Sequence, residues 1–183
     1  MEVVSTVPGL ERSIRYYEGF PSDGVTFVDL LPVFSDVSAM RRVSDYVRTL
    51  FVSTMPECYR PTKILAAEAR GFLFGGPLSL SLGVGMVPAR KPGKLPGALD
   101  EVSYELEYGT DSLAVQHGSL SKDDRVLLVD DLLATGGTAR AMRDLVDLSG
   151  ATIVGAMFLG ELSGLDGRSL LSGIRVESVL KFS

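Results

Sequence analysis

The chain has 183 residues, with 18 Lys and Arg against 23 Asp and Glu, which gives a formal net charge of −5. This length favours one domain spanning 1–183, and the acidic balance argues against a general nucleic-acid binder, which normally carries an excess of cations. A single cysteine, Cys58, and a single histidine, His117, exclude an internal disulfide framework and a zinc site built from thiolates and imidazoles. The first residues lack the basic and apolar regions of a secretory signal, so we expect a cytoplasmic protein.

The first thirty residues are predicted to be irregular, because glycine and proline interrupt them repeatedly. A helical period then begins at Asp36. The apolar residues that share one face of it are Met40, Val43, Val47 and Leu50. This spacing predicts an amphipathic helix.

The longest uncharged stretch, residues 71–89, is long enough to raise the question of a membrane span. Glycines and prolines divide it, however, and they favour short elements over one continuous helix. We predict a buried strand at 64–67 before it, a turn, a short helix at 77–82 capped by Gly83, and a strand at 84–87.

Residues 91–111 combine glycine, proline and charge without a clear period, so we predict a long loop that leaves open some strand content around 102–108. The remaining predicted elements are a strand at 125–129, a helix at 138–149, and strands at 152–159 and 176–180. Strands that alternate with helices, and that are continuous apolar runs, are typical of an α/β fold with a central parallel sheet covered by helices on both faces. Ligands of such folds lie at the carboxyl ends of the strands, which directs attention to the segments after residues 67, 88 and 129.

The strongest motif is the segment VLLVDDLLATGGT at 126–138. A buried strand leads into the adjacent carboxylates of Asp130 and Asp131, and a small glycine-containing turn then opens a helix. Such a turn aims backbone N–H groups and the positive end of the helix dipole at an anion, while the carboxylates can accept hydrogen bonds from a diol or hold a hydrated divalent cation. The alternative is an ordinary turn, in which two neighbouring aspartates would repel each other without any compensating role.

This segment resembles the phosphoribosyl-pyrophosphate (PRPP) motif of the type I phosphoribosyltransferases. The resemblance implies that Asp130 and Asp131 hold the ribose hydroxyls of PRPP. It also implies that the turn holds the 5-phosphate. The turn residues concerned are Ala134, Thr135, Gly136, Gly137 and Thr138.

Further motifs lie in the order that this family shows. The segment EARGF at 68–72 resembles the pyrophosphate loop in its adenine-specific form, in which Arg70 grips pyrophosphate and a cis peptide bond joins Glu68 to Ala69. The segment RKPGKLPG at 90–97 places three cations within five positions, and a local positive field suits a polyanionic substrate. The residues that we assign to pyrophosphate are Glu68, Ala69, Arg70, Arg90, Lys91 and Lys94.

The segment SYELEYG at 103–109 resembles the mobile catalytic loop of adenine-specific members of the family. By resemblance, Glu107 faces the imidazole edge of the purine as the base, Tyr108 helps to close the site, and Arg70 completes the catalytic set. Glu105 is a rival to Glu107, because alternate residues of an extended segment point to the same side. The segment as a whole, about 95–111, is expected to act as a lid that excludes water.

The resemblance further implies an N-terminal hood of about residues 1–35 that binds the base. The residues that we assign to adenine are Thr26, Phe27, Val28 and Leu132. Hypoxanthine–guanine relatives carry an acid in the phosphate turn, where this chain has Ala134, and this difference favours adenine.

The activity implied is the conversion of adenine and PRPP to AMP and pyrophosphate. Mg²⁺ would be held through PRPP and water rather than directly by protein side chains, and a homodimer is expected, with no nucleic-acid or membrane partner. Two alternatives stay open: a PRPP-sensing regulator of the same fold that no longer catalyses, and a purine phosphoribosyltransferase with another base preference.

Overall fold

In a computed structural model, residues 2–106 and 109–183 are described, with side chains given outside 105–110. The strands are β1 (Val3–Ser5), β2 (Arg15–Glu18), β3 (Thr26–Asp29), β4 (Lys63–Ala67), β5 (Gly85–Ala89), β6 (Leu99–Leu106), β7 (Gly109–Gln116), β8 (Arg125–Leu133), β9 (Thr152–Leu162) and β10 (Val176–Phe182). The α-helices are α1 (Leu31–Ser35), α2 (Val37–Arg48), α3 (Arg70–Leu82) and α4 (Gly137–Ser149).

The central sheet has the strand order β1-β10-β9-β8-β4-β5. Its pairs are parallel, except that β1 runs antiparallel to β10. The predicted α/β fold, with a mostly parallel sheet between helices, is confirmed. Each predicted strand of this sheet is also present, and most of them extend a few residues further than predicted.

Side chains alternate between the two faces of the sheet and build two hydrophobic cores. In β4, Ile64 and Ala66 pack with α2 and α3, whereas Leu65 and Ala67 pack with α4 and β7. Because both faces are covered, each strand reads as a continuous apolar run. The predicted helix after Asp36 is confirmed as α2, where the Asp36 carboxylate accepts hydrogen bonds from the backbone N–H groups of Ser38 and Ala39.

Three predictions about elements are wrong. The first thirty residues contain strands: β1 lies in the central sheet, and β2 and β3 form a separate two-stranded hairpin. The predicted loop at 91–111 is largely the hairpin of β6 and β7, although strand content around 102–108 is confirmed for the part that is described. The helix predicted at 77–82 starts earlier, at Arg70, and contains Pro77 in its interior.

Close packing explains the early start of α3. A Cβ atom on Gly75 would lie 2.8 Å from the Ala66 Cβ and 3.0 Å from the Met86 sulfur, so the helix approaches the sheet where only glycine fits. Glycine lowers intrinsic helix propensity, which is why the sequence pattern underestimates this helix. The predicted cap is confirmed, since Gly83 ends α3 in the left-handed conformation, with a φ of 72°.

Candidate active site

The two adjacent aspartates lie within β8, at the point where one neighbouring strand stops. The pairing of β4 with β8 ends at Val129, whereas the pairing of β9 continues along Asp130 and Leu132. Both carboxylates therefore lie at the carboxyl-end edge of the sheet, in the gap that β4 leaves, where ligands of such folds bind.

The carboxylates of this acid pair differ in their partners. Asp131 is buried and accepts a hydrogen bond from the Arg70 guanidinium, with which it forms an ion pair. The Asp130 carboxylate accepts a hydrogen bond of 2.9 Å from the backbone N–H of Asp131. Loss of solvent and the nearby charge of Asp131 raise the pKa of Asp130 well above its ordinary value. The site thus holds one carboxylate neutralised by arginine and one that binds a proton more readily than usual.

Helix α3 delivers Arg70 to this edge. It starts directly after the peptide bond between Glu68 and Ala69, which is cis, as the sequence resemblance implied. Gly71 lies against the acid pair: a Cβ atom there would be 2.7 Å from the Asp130 Oδ1 and 3.3 Å from the Val129 carbonyl oxygen. The glycine after the arginine therefore allows α3 to meet the end of β8.

The turn after the acid pair, residues 134–138, needs a glycine in the left-handed region. Gly136 has a φ of 86°, in the left-handed region, and precedes α4. With Leu132, Leu133, Phe158 and Asp130, the turn lines a pocket of about 80 Å³ at the N-terminus of α4. A single water molecule needs about 10–15 Å³ of such a cavity, so this pocket has room for a group of several heavy atoms. Backbone N–H groups and the helix dipole favour an anion at such a position.

Residues 90–97 follow β5 and are called the basic turn below. They lie beside the pyrophosphate loop, residues 68–72. The Arg90 Nε donates a hydrogen bond of 2.8 Å to Glu68, and its Nη1 donates one of 3.0 Å to the Lys94 carbonyl oxygen. The Arg90 backbone pairs in both directions with Ala114 of β7, at 2.9 Å and 2.7 Å. The structure therefore brings three of the predicted pyrophosphate residues together and connects them to the β6–β7 hairpin.

This hairpin packs on α4 and reaches the basic turn through polar side chains. Asp111 accepts hydrogen bonds from Lys91 and from the Tyr104 hydroxyl, the latter at 3.3 Å. The predicted catalytic residues Glu107 and Tyr108 lie outside the described residues, and the side chain of the rival Glu105 does as well.

The residues assigned to adenine lie on two elements that meet. Val28 is buried in the core that also contacts Leu132, and a Cβ atom on Gly160 would lie 3.0 Å from Leu30 and 3.1 Å from Leu132. The end of the β2–β3 hairpin thus packs near Leu132, the residue that follows the acid pair.

The other assigned residues of this hairpin do not enter that core. Phe27 lies on the opposite face, where its ring meets Phe20 edge-on at 5.1 Å between centroids. The Thr26 hydroxyl donates to Glu18 at 2.8 Å.

Comparison with known proteins identifies the arrangement. The sequence pattern of the family described as "Phosphoribosyl transferase domain" matches residues 38–161. The chain belongs to the phosphoribosyltransferase family.

Relatives within this family agree on one name. A curated adenine phosphoribosyltransferase of Maridesulfovibrio salexigens is 45% identical over 172 residues, which cover 94% of this chain and 98% of the relative. The crystal structure of adenine phosphoribosyltransferase from Thermoanaerobacter pseudethanolicus is 44% identical, with a TM-score of 0.87, and the match covers 97% of this chain and 100% of that one. The enzyme from Saccharomyces cerevisiae, solved with an imino-altritol bisphosphate and adenine, is 39% identical with a TM-score of 0.88, over 93% of this chain and 96% of that one.

One structural contribution to this phosphoribosyltransferase site was missed by the sequence analysis, which assigned no role to residues 160–175. A Cβ atom on Gly167 would lie 2.3 Å from the Ala134 carbonyl oxygen, so this glycine packs directly under the phosphate turn. Arg168 anchors the same segment through two hydrogen bonds to the buried Glu161, of 2.6 Å and 2.7 Å. The sequence near this contact offers only Gly167 itself as an indication, and a single glycine is equally consistent with an ordinary turn.

The described part of this phosphoribosyltransferase shows neither a cluster of metal-ligating side chains nor a helix suited to a membrane. Within residues 2–106 and 109–183, no group of three or more histidine, cysteine, aspartate or glutamate side chains converges in a way that would hold a metal ion. In the same part of the chain, no helix combines the length and apolar character needed to cross a bilayer.

Proposed function

We propose that this chain transfers the phosphoribosyl group of PRPP to adenine, giving AMP and pyrophosphate, in purine salvage. The observation that carries the proposal is the acid pair of Asp130 and Asp131, placed between the Arg70 guanidinium and the pocket of about 80 Å³ at the start of α4. The relatives of this chain described above are named adenine phosphoribosyltransferase, and the S. cerevisiae structure holds adenine.

PRPP would extend along the carboxyl-end edge of the sheet. The 5-phosphate would occupy the pocket formed by 134–138, where N–H groups and the dipole of α4 favour an anion. The ribose hydroxyls would donate to the acid pair, since carboxylates accept hydrogen bonds well. The remaining charge, on pyrophosphate, would then face Arg70 and the basic turn.

Pyrophosphate binding requires additional hydrogen-bond partners for the Arg70 guanidinium. Its guanidinium pairs with Asp131, but it carries five donors in a planar fork, so it can contact phosphate oxygens while one N–H stays on the carboxylate. Around it we place Glu68 and Ala69, whose cis peptide shapes the loop, together with Arg90, Lys91 and Lys94 of the basic turn.

The acid pair also suits a hydrated divalent cation. Mg²⁺ keeps several of its water molecules, and carboxylate oxygens can accept hydrogen bonds from those waters. Bound between PRPP and water, Mg²⁺ would neutralise the leaving pyrophosphate. The protein residues would orient the ribose and stabilise the positive charge that develops on its anomeric carbon.

Adenine would lie between the hood and Leu132. We limit the hood to about residues 15–35, because β1 pairs with β10 in the central sheet. Thr26, Phe27 and Val28 would contribute mainly backbone groups, since the Val28 side chain is buried in the core. Ala134 offers no carboxylate in the phosphate turn, so Glu107 would accept the imidazole proton of the base and Tyr108 would help to exclude water.

A cytoplasmic homodimer is part of the same proposal, by similarity to the family. Two other candidates, a PRPP-sensing regulator and a phosphoribosyltransferase for another base, differ from it in one measurable property. The regulator would bind PRPP without turnover, whereas the second enzyme would turn over another base.

The decisive experiment is a turnover assay with Mg²⁺, PRPP and one of four bases: adenine, hypoxanthine, guanine or orotate. We expect AMP and pyrophosphate with adenine, and little product with the others. The double variant Asp130→Asn/Asp131→Asn should fold but lose PRPP binding, because amides do not replace the charge of the acid pair. No turnover of any base by the wild type would leave the regulator, and an unchanged Michaelis constant in the double variant would remove the acid pair from the site.

A further inference from the structure

Asp111 lies at the centre of a polar cluster where the β6–β7 hairpin meets the basic turn and the phosphate turn. Its Oδ2 accepts from Lys91 of the basic turn and from the Tyr104 hydroxyl, while its Oδ1 accepts from the backbone N–H of Ser112 at 2.9 Å. Both carboxylate oxygens are therefore used, and the N–H of Ser112 fixes their direction. The Lys91 contact lowers the pKa of Asp111, against the opposing effect of burial.

The register of the hairpin explains how Tyr104 joins this cluster. Tyr104 and Asp111 are direct cross-strand partners in β6 and β7, so their side chains share a face. That face carries Val102 and Leu113 one pair further along, and these pack with α4. The Tyr104 side chain also lines one pocket together with Gly137 of the phosphate turn.

The same hairpin sets the backbone of the basic turn. Ala114, three residues after Asp111, exchanges two backbone hydrogen bonds with Arg90, and Arg90 in turn donates to Glu68 of the pyrophosphate loop. A contact that fixes Asp111 therefore fixes the distance between the hairpin and the pyrophosphate-binding side chains.

We propose that Asp111 is a positioning residue that fastens the β6–β7 hairpin to the basic turn through Lys91 and to the phosphate turn through Tyr104, and so prepares both ends of the PRPP site. Lys91, which we also place near pyrophosphate, then has a second role in holding Asp111. The expected effect on the Michaelis constant for PRPP rests on the proposed function. The expected effect on the rigidity of the hairpin does not.

The structural consequence is tested by hydrogen exchange of the ligand-free protein. Asp111→Asn and Tyr104→Phe should each speed amide exchange in 99–104 and 111–116 by about two- to fivefold, the range expected from measured exposed ion pairs. Asp111→Glu, which keeps the charge, should restore much of the protection. The matched control is Asp100→Asn, which removes the contact of 2.8 Å between Asp100 and His117 at the other end of the hairpin. That control should leave exchange in 111–116 unchanged.

The kinetic consequence is a selective effect on PRPP. Asp111→Asn should raise the Michaelis constant for PRPP by about two- to fivefold and leave that for adenine within experimental error. In a Lys91→Gln background the effect of Asp111→Asn should shrink to less than twofold. The Lys91–Asp111 contact is then already lost, and the effects of substituting two residues in contact do not add.

Three results would overturn the proposal: unchanged exchange in Asp111→Asn, a change in the adenine constant alone, or effects of Lys91→Gln and Asp111→Asn that simply multiply. The last result would mean that Lys91 and Asp111 act independently of each other. If the wild type turned over no base, the proposed function would fail, while the exchange experiment would still decide whether Asp111 fastens the hairpin.

Discussion

Gly71 shows how a single side chain, or its absence, shapes this site. The space beside it is filled by Asp130 and the Val129 carbonyl group, whereas Gly76, in the same helix, has nothing within 4 Å of a Cβ atom. The two glycines therefore form a matched pair, in which the same substitution meets either a carboxylate or open space.

Gly71→Ala is expected to displace the acid pair or the start of α3. Overpacking of this kind costs about 1–3 kcal/mol, and the Michaelis constant for PRPP should rise several-fold. Gly76→Ala should instead stabilise the protein by about 0.5–1 kcal/mol, as alanine does in a helix interior, with unchanged kinetics. Urea denaturation and steady-state kinetics measure both effects, and equal kinetics in the two variants would contradict this account of Gly71.

Glu107 is the residue to which we assign the proton of adenine. General-base contributions are about 10²–10⁴-fold, so Glu107→Gln should lower turnover within that range and leave PRPP affinity nearly intact. Glu105→Gln, two positions earlier, is the control and should have a much smaller effect. If the two variants exchange behaviour, Glu105 is the base; if neither lowers turnover, the proton leaves to solvent.

Among the elements, the β6–β7 hairpin differs most from the expectation of an unstructured loop. Its cross-strand pairing and the buried Leu113 and Val115 dock it against α4. The lid that we propose for 95–111 would therefore involve movement of a docked hairpin rather than of an unstructured loop.

We therefore predict that residues 95–111 are cut by protease faster in the ligand-free protein than with AMP, pyrophosphate and Mg²⁺ bound. Ligands that stabilise the closed state reduce the population of open, cleavable chain. Cleavage at the exposed turn 121–123 serves as the control and should keep its rate. Equal protection at the two sites, or none at either, would remove the lid from the mechanism.

At the scale of the whole molecule, the burial of charge at the acid pair makes stability depend on pH. Desolvation and Asp131 raise the pKa of Asp130 above its ordinary value of 3.8. The folded state then binds more protons than the unfolded state between the two values, so this group lowers stability as pH rises from about 3.8 through the folded-state pKa. Each unit of such a shift corresponds to about 1.4 kcal/mol.

Asp130→Asn should therefore gain stability relative to the wild type as pH rises from 4 to 8, with the difference smallest at the acid end. Asp36→Asn is the control, because hydrogen bonds from the first turn of α2 lower the pKa of Asp36 below its ordinary value of 3.8. The stabilising charge of Asp36 is therefore lost only below that pH, and the stability difference for Asp36→Asn should stay flat from pH 4 to 8. Urea denaturation across this range measures both differences, and a flat difference for Asp130→Asn would contradict a raised pKa.

Local sequence by itself determined the central parts of this protein. The apolar run of β8, the adjacent aspartates, the small turn and the amphipathic α4 are consecutive, so their periodicity and spacing predict a phosphate site at a strand end without any knowledge of distant residues. The strands at 64–67 and 152–159 and the helix after Asp36 followed from periodicity in the same way. The resemblance of four ordered motifs then pointed to the family.

Only the tertiary structure decided the features that depend on distant partners. Helix α3 begins at Arg70 because Gly71 and Gly75 allow it to approach Asp130 and Ala66, although glycine alone disfavours a helix. The β6–β7 hairpin is defined by cross-strand pairs and by packing on α4, and Gly167, in the segment after β9, packs against the Ala134 carbonyl oxygen. Such contacts join residues far apart in the chain, and local propensity carries no information about them, because their free energy arises only when the elements pack together.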